Sequence, residues 1–154
     1  MDNKEERMNH AKKLYEGKVV PHHSCGICLA ATFGLKPSSY QSLRKGGITG
    51  EGECGAIKGG EMVLGEYLGD PDPTGPVTES LREAAAEYKG TLSKELKLDG
   101  LEKRTCDALA GGFSDFQGDE RKDYCAELVV EITRILCRIL EKKDAPLKDP
   151  ISYQ

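Results

Sequence analysis

Cys54 opens the segment Cys54-Gly55-Ala56-Ile57-Lys58-Gly59-Gly60, directly after a glycine-punctuated stretch from Gly46 to Gly52. A glycine-rich loop followed by an apolar run at helical spacing predicts a helix whose first turn begins at Cys54. A thiol there meets unpaired backbone N–H groups and the positive end of the helix dipole, and both favour thiolate. Thiolate is the form that ligates metals and attacks disulfides. Lys58, one turn on, could help to hold that charge, although such a lysine is more commonly just solvated. Gly55, Gly59, Gly60 and Gly65 interrupt the helix, and each glycine costs about 1 kcal/mol relative to Ala. Close approach of another helix or of a prosthetic group would account for them, which makes Gly55, Gly59 and Gly60 candidate cofactor-binding positions.

Five further cysteines accompany Cys54 in 154 residues. Cys25-Gly26-Ile27-Cys28 is a CxxC, a weak signal alone because any two cysteines three apart on a helix lie close together. No His follows Cys28, which excludes c-type haem attachment, and a zinc ribbon would need a second CxxC. No βαβ pattern accompanies the motif, which disfavours a thioredoxin-like site. His22 and His23 could ligate a metal or tune Cys25, against the plainer reading of a solvent-exposed helix start. No His/Asp/Ser arrangement argues for hydrolysis.

The elements that must position these residues all show helical spacing, and no segment alternates as a strand does. The expected fold is all-α, a single-domain bundle of about five to six helices around a buried, Cys-containing core helix. That core helix is expected over residues 22–34, which are apolar nearly all round. Residues 3–16 read as a charged surface helix, and a short helix starts at Pro37. The Cys54 helix runs to Leu68, and Asp70 to Pro76 form the clearest break. Thr78 caps a mostly solvated helix ending near residue 96. Cys106 to Leu109 form a short helix, Gly111 to Gly118 a loop, and residues 119–142 the longest helix. Its apolar stripe is Cys125, Leu128, Val129, Ile132, Ile135, Leu136, Ile139 and Leu140, with Cys137 at its margin. In domain terms the expectation is an N-terminal charged helix at 1–17, a helical redox-type domain at 18–143 and a tail at 144–154.

Composition excludes several classes. The chain is 38% hydrophobic and 31% charged with no Trp, ordinary for a folded soluble protein. A net charge of -4 leaves no basic footprint for nucleic acid. The charged N-terminus lacks the apolar core of a signal peptide, and no apolar run reaches the roughly 18 residues of a membrane span. The expected location is the cytoplasm, where cysteine clusters lean toward metal or redox chemistry rather than a permanent disulfide framework.

The order Cys25, then Cys54-Gly55-Ala56-x-x-Gly59, then Cys106 and Cys125 resembles the bacterial C_GCAxxG_C_C family of putative redox-active proteins, from about residue 8 to 140. The resemblance implies an all-helical fold and suggests an iron–sulfur cluster or other metal bound by the four signature cysteines, Cys25, Cys54, Cys106 and Cys125, with electron transfer as the role. The chain departs from the family pattern in Gly55, which separates Cys54 from Ala56, in lacking an export signal, and in the extra Cys28 and Cys137. Four thiolates suit an iron–sulfur cluster or zinc. The alternative needs no cofactor: a thiol–disulfide protein with Cys54 as nucleophile and Cys25 or Cys28 as its partner. A third reading is a non-catalytic module that binds a ligand or partner on the glycine-lined face. A redox partner protein and a homodimer are both compatible with the sequence.

Overall fold

In the computed structural model, which describes residues 4–113 and 118–153, the helices run α1 (Lys4–Glu16), α2 (Cys25–Thr32), α3 (Gly55–Leu68), α4 (Glu79–Leu96), α5 (Cys106–Ala110) and α6 (Asp119–Lys142), with 3-10 helices at Pro37–Leu43 and Leu101–Lys103. The all-α, single-domain architecture is the one expected. Among the described residues the only strand-like pairing is an isolated antiparallel bridge between Glu53 and Thr105. Residue 3 and residues 114–117, which the expected first helix and the expected 111–118 loop include, lie outside the described residues.

The longest apolar stripe makes the longest helix. Along α6 the stripe from Cys125 to Leu140 is buried, with Asp119 and Glu120 in the first turn and Lys142 in the last, placed to complement the helix dipole. α1 lies along α6 and buries Ala11, Leu14 and Tyr15. α4 is capped by Thr78, whose Oγ1 accepts the Leu81 N–H at 3.1 Å. It turns Ala84, Tyr88 and Leu92 inward, and its outer carboxylates Glu83, Glu87 and Glu95 pair with Lys143, Lys142, Arg134 and Arg138.

α2 is the core helix, touching α1, α3, α6 and the Pro37–Leu43 turn, with Cys28 fully buried. It is shorter than the 22–34 expected. His22 and His23 stand ahead of it, because the His23 N–H donates to the Leu14 carbonyl at 2.9 Å and the His22 ring bonds the Tyr15 carbonyl, tying the segment to the end of α1. At the other end Gly34, with φ of 70°, turns the chain away.

The α1 helix holds a residue that helical patterning would place in solvent. Arg7 is 1% exposed, donates to the Thr32 carbonyl at 2.5 Å and the Lys148 carbonyl at 3.0 Å, and lies 5.2 Å over the Phe33 ring. It anchors the segment after α6, which returns across α2 where the Ile151 N–H meets the Ala31 carbonyl at 2.9 Å.

Candidate functional site

Two Cys-Gly dipeptides sit at two helix starts, Cys25-Gly26 at α2 and Cys54-Gly55 at α3, where Cys54 is the N-cap. The glycines let these ends approach backbone to backbone. A Cβ on Gly55 would stand 2.8 Å from the Leu43 carbonyl oxygen and 3.4 Å from the Gly26 nitrogen, and one on Gly59 would stand 3.0 Å from the Gly26 Cα. Side chains of ordinary size would force the helices apart. Their absence lets Cys25 stand beside the start of α3, its Cβ 3.5 Å from where a Gly55 Cβ would be, so that Cys25 and Cys54 share one cavity.

Backbone hydrogen bonds bring in the third thiol. The loop of residues 44–53 folds over α5: the Cys106 N–H donates to the Gly52 carbonyl at 3.0 Å, the Asp107 N–H to Gly50 at 2.9 Å, and the Cys54 N–H to Arg104 at 2.7 Å. Gly46 must be glycine here, because its φ is 61° and a Cβ would run into that of Cys106. Cys125 arrives from α6. Its neighbours are Arg121, one turn earlier, and Tyr15 of α1, whose hydroxyl accepts from Arg121 at 3.0 Å. The four cysteines Cys25, Cys54, Cys106 and Cys125 line one cavity of about 270 Å³.

The thiols differ in acidity. Cys54 is held below the ordinary thiol value, first by the Cys25 S–H and then by the Ile57 and Ala56 N–H groups of the first α3 turn, against the opposing effect of burial. Cys25 is pushed well above it, since its proton is the one shared with the Cys54 sulfur and it is itself buried. Burial also raises Cys125, although Arg121 and Tyr15 hydrogen bonds work the other way, and burial raises Cys106. The arrangement therefore sets one thiol of lowered pKa beside a neighbour of raised pKa, with two further thiols of raised pKa in the same cavity.

Other expected site residues fall elsewhere. Cys28 does not reach the cavity: its Sγ donates to the Ala11 carbonyl at 3.2 Å, and burial drives its pKa up to about 12. The partner available to Cys54 is thus Cys25, because i, i+3 spacing turns Cys28 toward α1. Cys137 is buried on α6, away from the cavity lining. Lys58 turns to acidic neighbours instead of Cys54: its ammonium lies 3.6 Å from Glu53 and 3.3 Å from Glu61. Of the three candidate cofactor glycines only Gly55 lines the cavity. Gly59 faces Gly26, and Gly60 faces Tyr88 and Ile132, where a Cβ would stand 2.9 Å from the phenol Cζ and 3.0 Å from Cγ2 respectively. Helix contact, not a bound group, explains those two. His22 lines the cavity and His23 does not.

Residues that sequence reasoning passed over complete the walls: Tyr15, Ser24, Arg44, Lys45 and Arg121. Arg121 carried one usable signal, its place one turn before Cys125 on the same helix.

Residues 27–139 match the family model described as "Putative redox-active protein (C_GCAxxG_C_C)". The chain belongs to this family. The matched span holds Cys54, Cys106 and Cys125, and Cys25 stands two residues ahead of its start. No curated protein and no solved structure matches the chain. In this C_GCAxxG_C_C chain, among the described residues, no group of three or more His, Cys, Asp or Glu side chains is gathered closely enough to hold a metal ion. No helix among the described residues is long and apolar enough to cross a membrane.

Proposed function

We propose that the chain is a thiol–disulfide redox protein in which Cys54 is the nucleophile and Cys25 its resolving partner. The observation that carries this reading is that Cys25 and Cys54, at two helix starts packed backbone to backbone, line one cavity, with Cys54 held below its ordinary pKa. A nucleophilic thiol needs thiolate character, and a resolving thiol must stand beside it. Cys54 attacks one sulfur of a substrate disulfide, breaking that S–S bond and releasing the other half as a thiolate that takes up a proton. Cys25 then gives up its proton and attacks the Cys54 sulfur, so that a Cys25–Cys54 disulfide forms and the second half leaves as thiol. Two electrons pass from protein to substrate. The reverse sequence reduces the protein, and we place the cycle in the cytoplasm, whose thiol systems supply reductant.

One observation favours a second reading, a polynuclear iron–sulfur cluster: all four signature cysteines line the same cavity. Soft thiolates select such clusters, and a cluster spreads its ligands over several irons instead of gathering them on one ion. Bound there by Cys25, Cys54, Cys106 and Cys125, it would supply electron transfer.

Purification without oxygen, followed by metal and sulfide analysis and thiol counting before and after mild oxidation with diamide, tests the proposal. The expected result is loss of two thiols per chain with no stoichiometric metal. Iron and sulfide in whole-number ratio to protein, with visible absorbance, would replace the dithiol reading by the cluster.

A further inference from the structure

Cys54 is 6% exposed, yet dithiol chemistry requires its sulfur to meet a substrate disulfide. Arg44, Lys45 and Gly46, from the loop of residues 44–53, form part of the wall around it, and the backbone of that loop is unusual. Lys45, Gly46, Gly47 and Ile48 follow one another at φ of 51°, 61°, 76° and 77°. They make a left-handed turn, closed by the Ile48 N–H on the Arg44 carbonyl at 2.6 Å. Elsewhere among the described residues each left-handed residue stands alone. L-residues visit that region singly, not as turns, and a β-branched residue there is an outlier. Gly46 and Gly47 suit the conformation; Lys45 and Ile48 are strained by it.

Core packing does not explain Ile48, whose side chain is 60% exposed. Backbone bonds hold the turn instead. Within the loop the Gly50 N–H donates to the Lys45 carbonyl at 2.8 Å and the Gly52 N–H to the Gly46 carbonyl at 2.9 Å. Two more bonds tie the loop to α5, from the Cys106 N–H to Gly52 at 3.0 Å and from the Asp107 N–H to Gly50 at 2.9 Å. Strain of this kind persists only where surrounding contacts over-determine it, and it gathers at ligand clamps and switch regions. The element that holds it here is α5, a helix of five residues, and one of the residues that does the holding is Cys106 of the cavity itself.

Resting on the thiol–disulfide reading above, we infer that residues 44–53 are a strained lid, latched to α5, whose opening admits the substrate disulfide to Cys54. Closed, the lid walls the dithiol on one side and keeps Cys54 buried. Opening breaks the Cys106 and Asp107 bonds and lets Lys45 and Ile48 return to negative φ, so that release of strain offsets part of the cost of the lost bonds. Loops that open and close in this way commonly gate access to a reaction. Ile48 sets how often the lid opens; it acts through the backbone and touches no reacting atom.

Two substitutions at Ile48 test the inference. Ile48→Asn relieves the strain, because asparagine enters the left-handed region far more readily than other side chains, whereas Ile48→Val keeps a β-branched residue there. The reduced proteins are mixed with dithiodipyridine, a neutral aromatic disulfide, and loss of the free Cys54 thiol is timed by quenched alkylation and mass spectrometry. Relief of one left-handed residue makes opening rarer, so Cys54 should react about 5- to 30-fold more slowly in Ile48→Asn and at the parental rate in Ile48→Val. Hydrogen exchange followed by NMR gives a second readout. The Cys106 and Asp107 amides should exchange faster than those in the middle of α6, as local opening requires, and should slow in Ile48→Asn by the same factor as Cys54. Equal Cys54 rates in the parent and Ile48→Asn, or Cys106 and Asp107 amides that exchange only as fast as the α6 core, would overturn the inference and leave the dithiol reading standing. Failure of diamide to join Cys25 to Cys54 in any of the three proteins would overturn both.

Discussion

Replacing Cys25 with Ala removes the S–H that the Cys54 sulfur accepts, the largest influence holding that thiol acidic. Hydrogen bonds to charged groups contribute about 1.5–3 kcal/mol, and one pKa unit corresponds to about 1.36 kcal/mol. The Cys54 pKa should therefore rise by about 1–2 units, toward the lower figure if water enters the vacated space and donates in its place. Cys25→Ser keeps a donor, so Cys54 should stay close to its acidity in the parent protein. Alkylation by iodoacetamide across a pH series, with the Cys54 peptide quantified by mass spectrometry, reads the value in all three proteins. Below the pKa values a shift of that size lowers the Cys54 alkylation rate by about 10- to 100-fold. If the Ala and Ser variants behave alike, the hydrogen bond from Cys25 is not what sets the acidity of Cys54, and the dithiol argument loses its physical basis.

The glycine contact makes opposite predictions at two positions. Gly55→Ala should lower stability by about 1–3 kcal/mol as overpacking, because its Cβ meets the Leu43 carbonyl at 2.8 Å. Gly90→Ala, on an open face of α4 with nothing within 4 Å, should raise stability by about 1 kcal/mol; thermal melts of both variants check the pair. Cys28 supplies a pH signature. Its pKa is raised from the ordinary 9.0 to about 12, so the stability it contributes is fully present below pH 9 and is lost as pH rises through 12. Cys28→Ala should consequently show a smaller fall in Tm between neutral and alkaline pH than the parent, and an equal fall would contradict the burial argument. Arg7→Met should destabilise by about 1–3 kcal/mol, measured by urea unfolding, by stranding the Thr32 and Lys148 carbonyls that Arg7 serves.

Much of the scaffold was legible because local rules and packing agree. The α6 stripe repeats every three or four residues and is buried along its length, Thr78 is a capping residue and does cap, and the glycine loop before Cys54 ends where α3 begins. The convergence of Cys25 with Cys54 was less legible, since it depends on which helix meets the glycine face of α3. The repeated Cys-Gly at two helix starts was its sequence trace, and Gly26 was the residue overlooked. The burial of Arg7 has no local signature, because charge ordinarily favours solvent, whereas here two carbonyls and an aromatic face receive it. The α2 start was placed too early because nothing local to His22 and His23 reveals their bonds to the end of α1. Tyr15 enters the site only through the crossing of α1 on α6, a tertiary fact with no local signature.

The central claim is that Cys25 and Cys54 form one reversible two-electron couple. Equilibrating the protein across a series of glutathione redox buffers, then trapping the thiols by alkylation and mapping the peptides, tests it most directly. The expected result is a single transition that links Cys25 to Cys54, with the two thiols disappearing together and the oxidised-to-reduced ratio changing tenfold for about 30 mV. Cys25 and Cys54 both remaining free at the oxidising end, or pairing with other cysteines while each titrates separately, would contradict it.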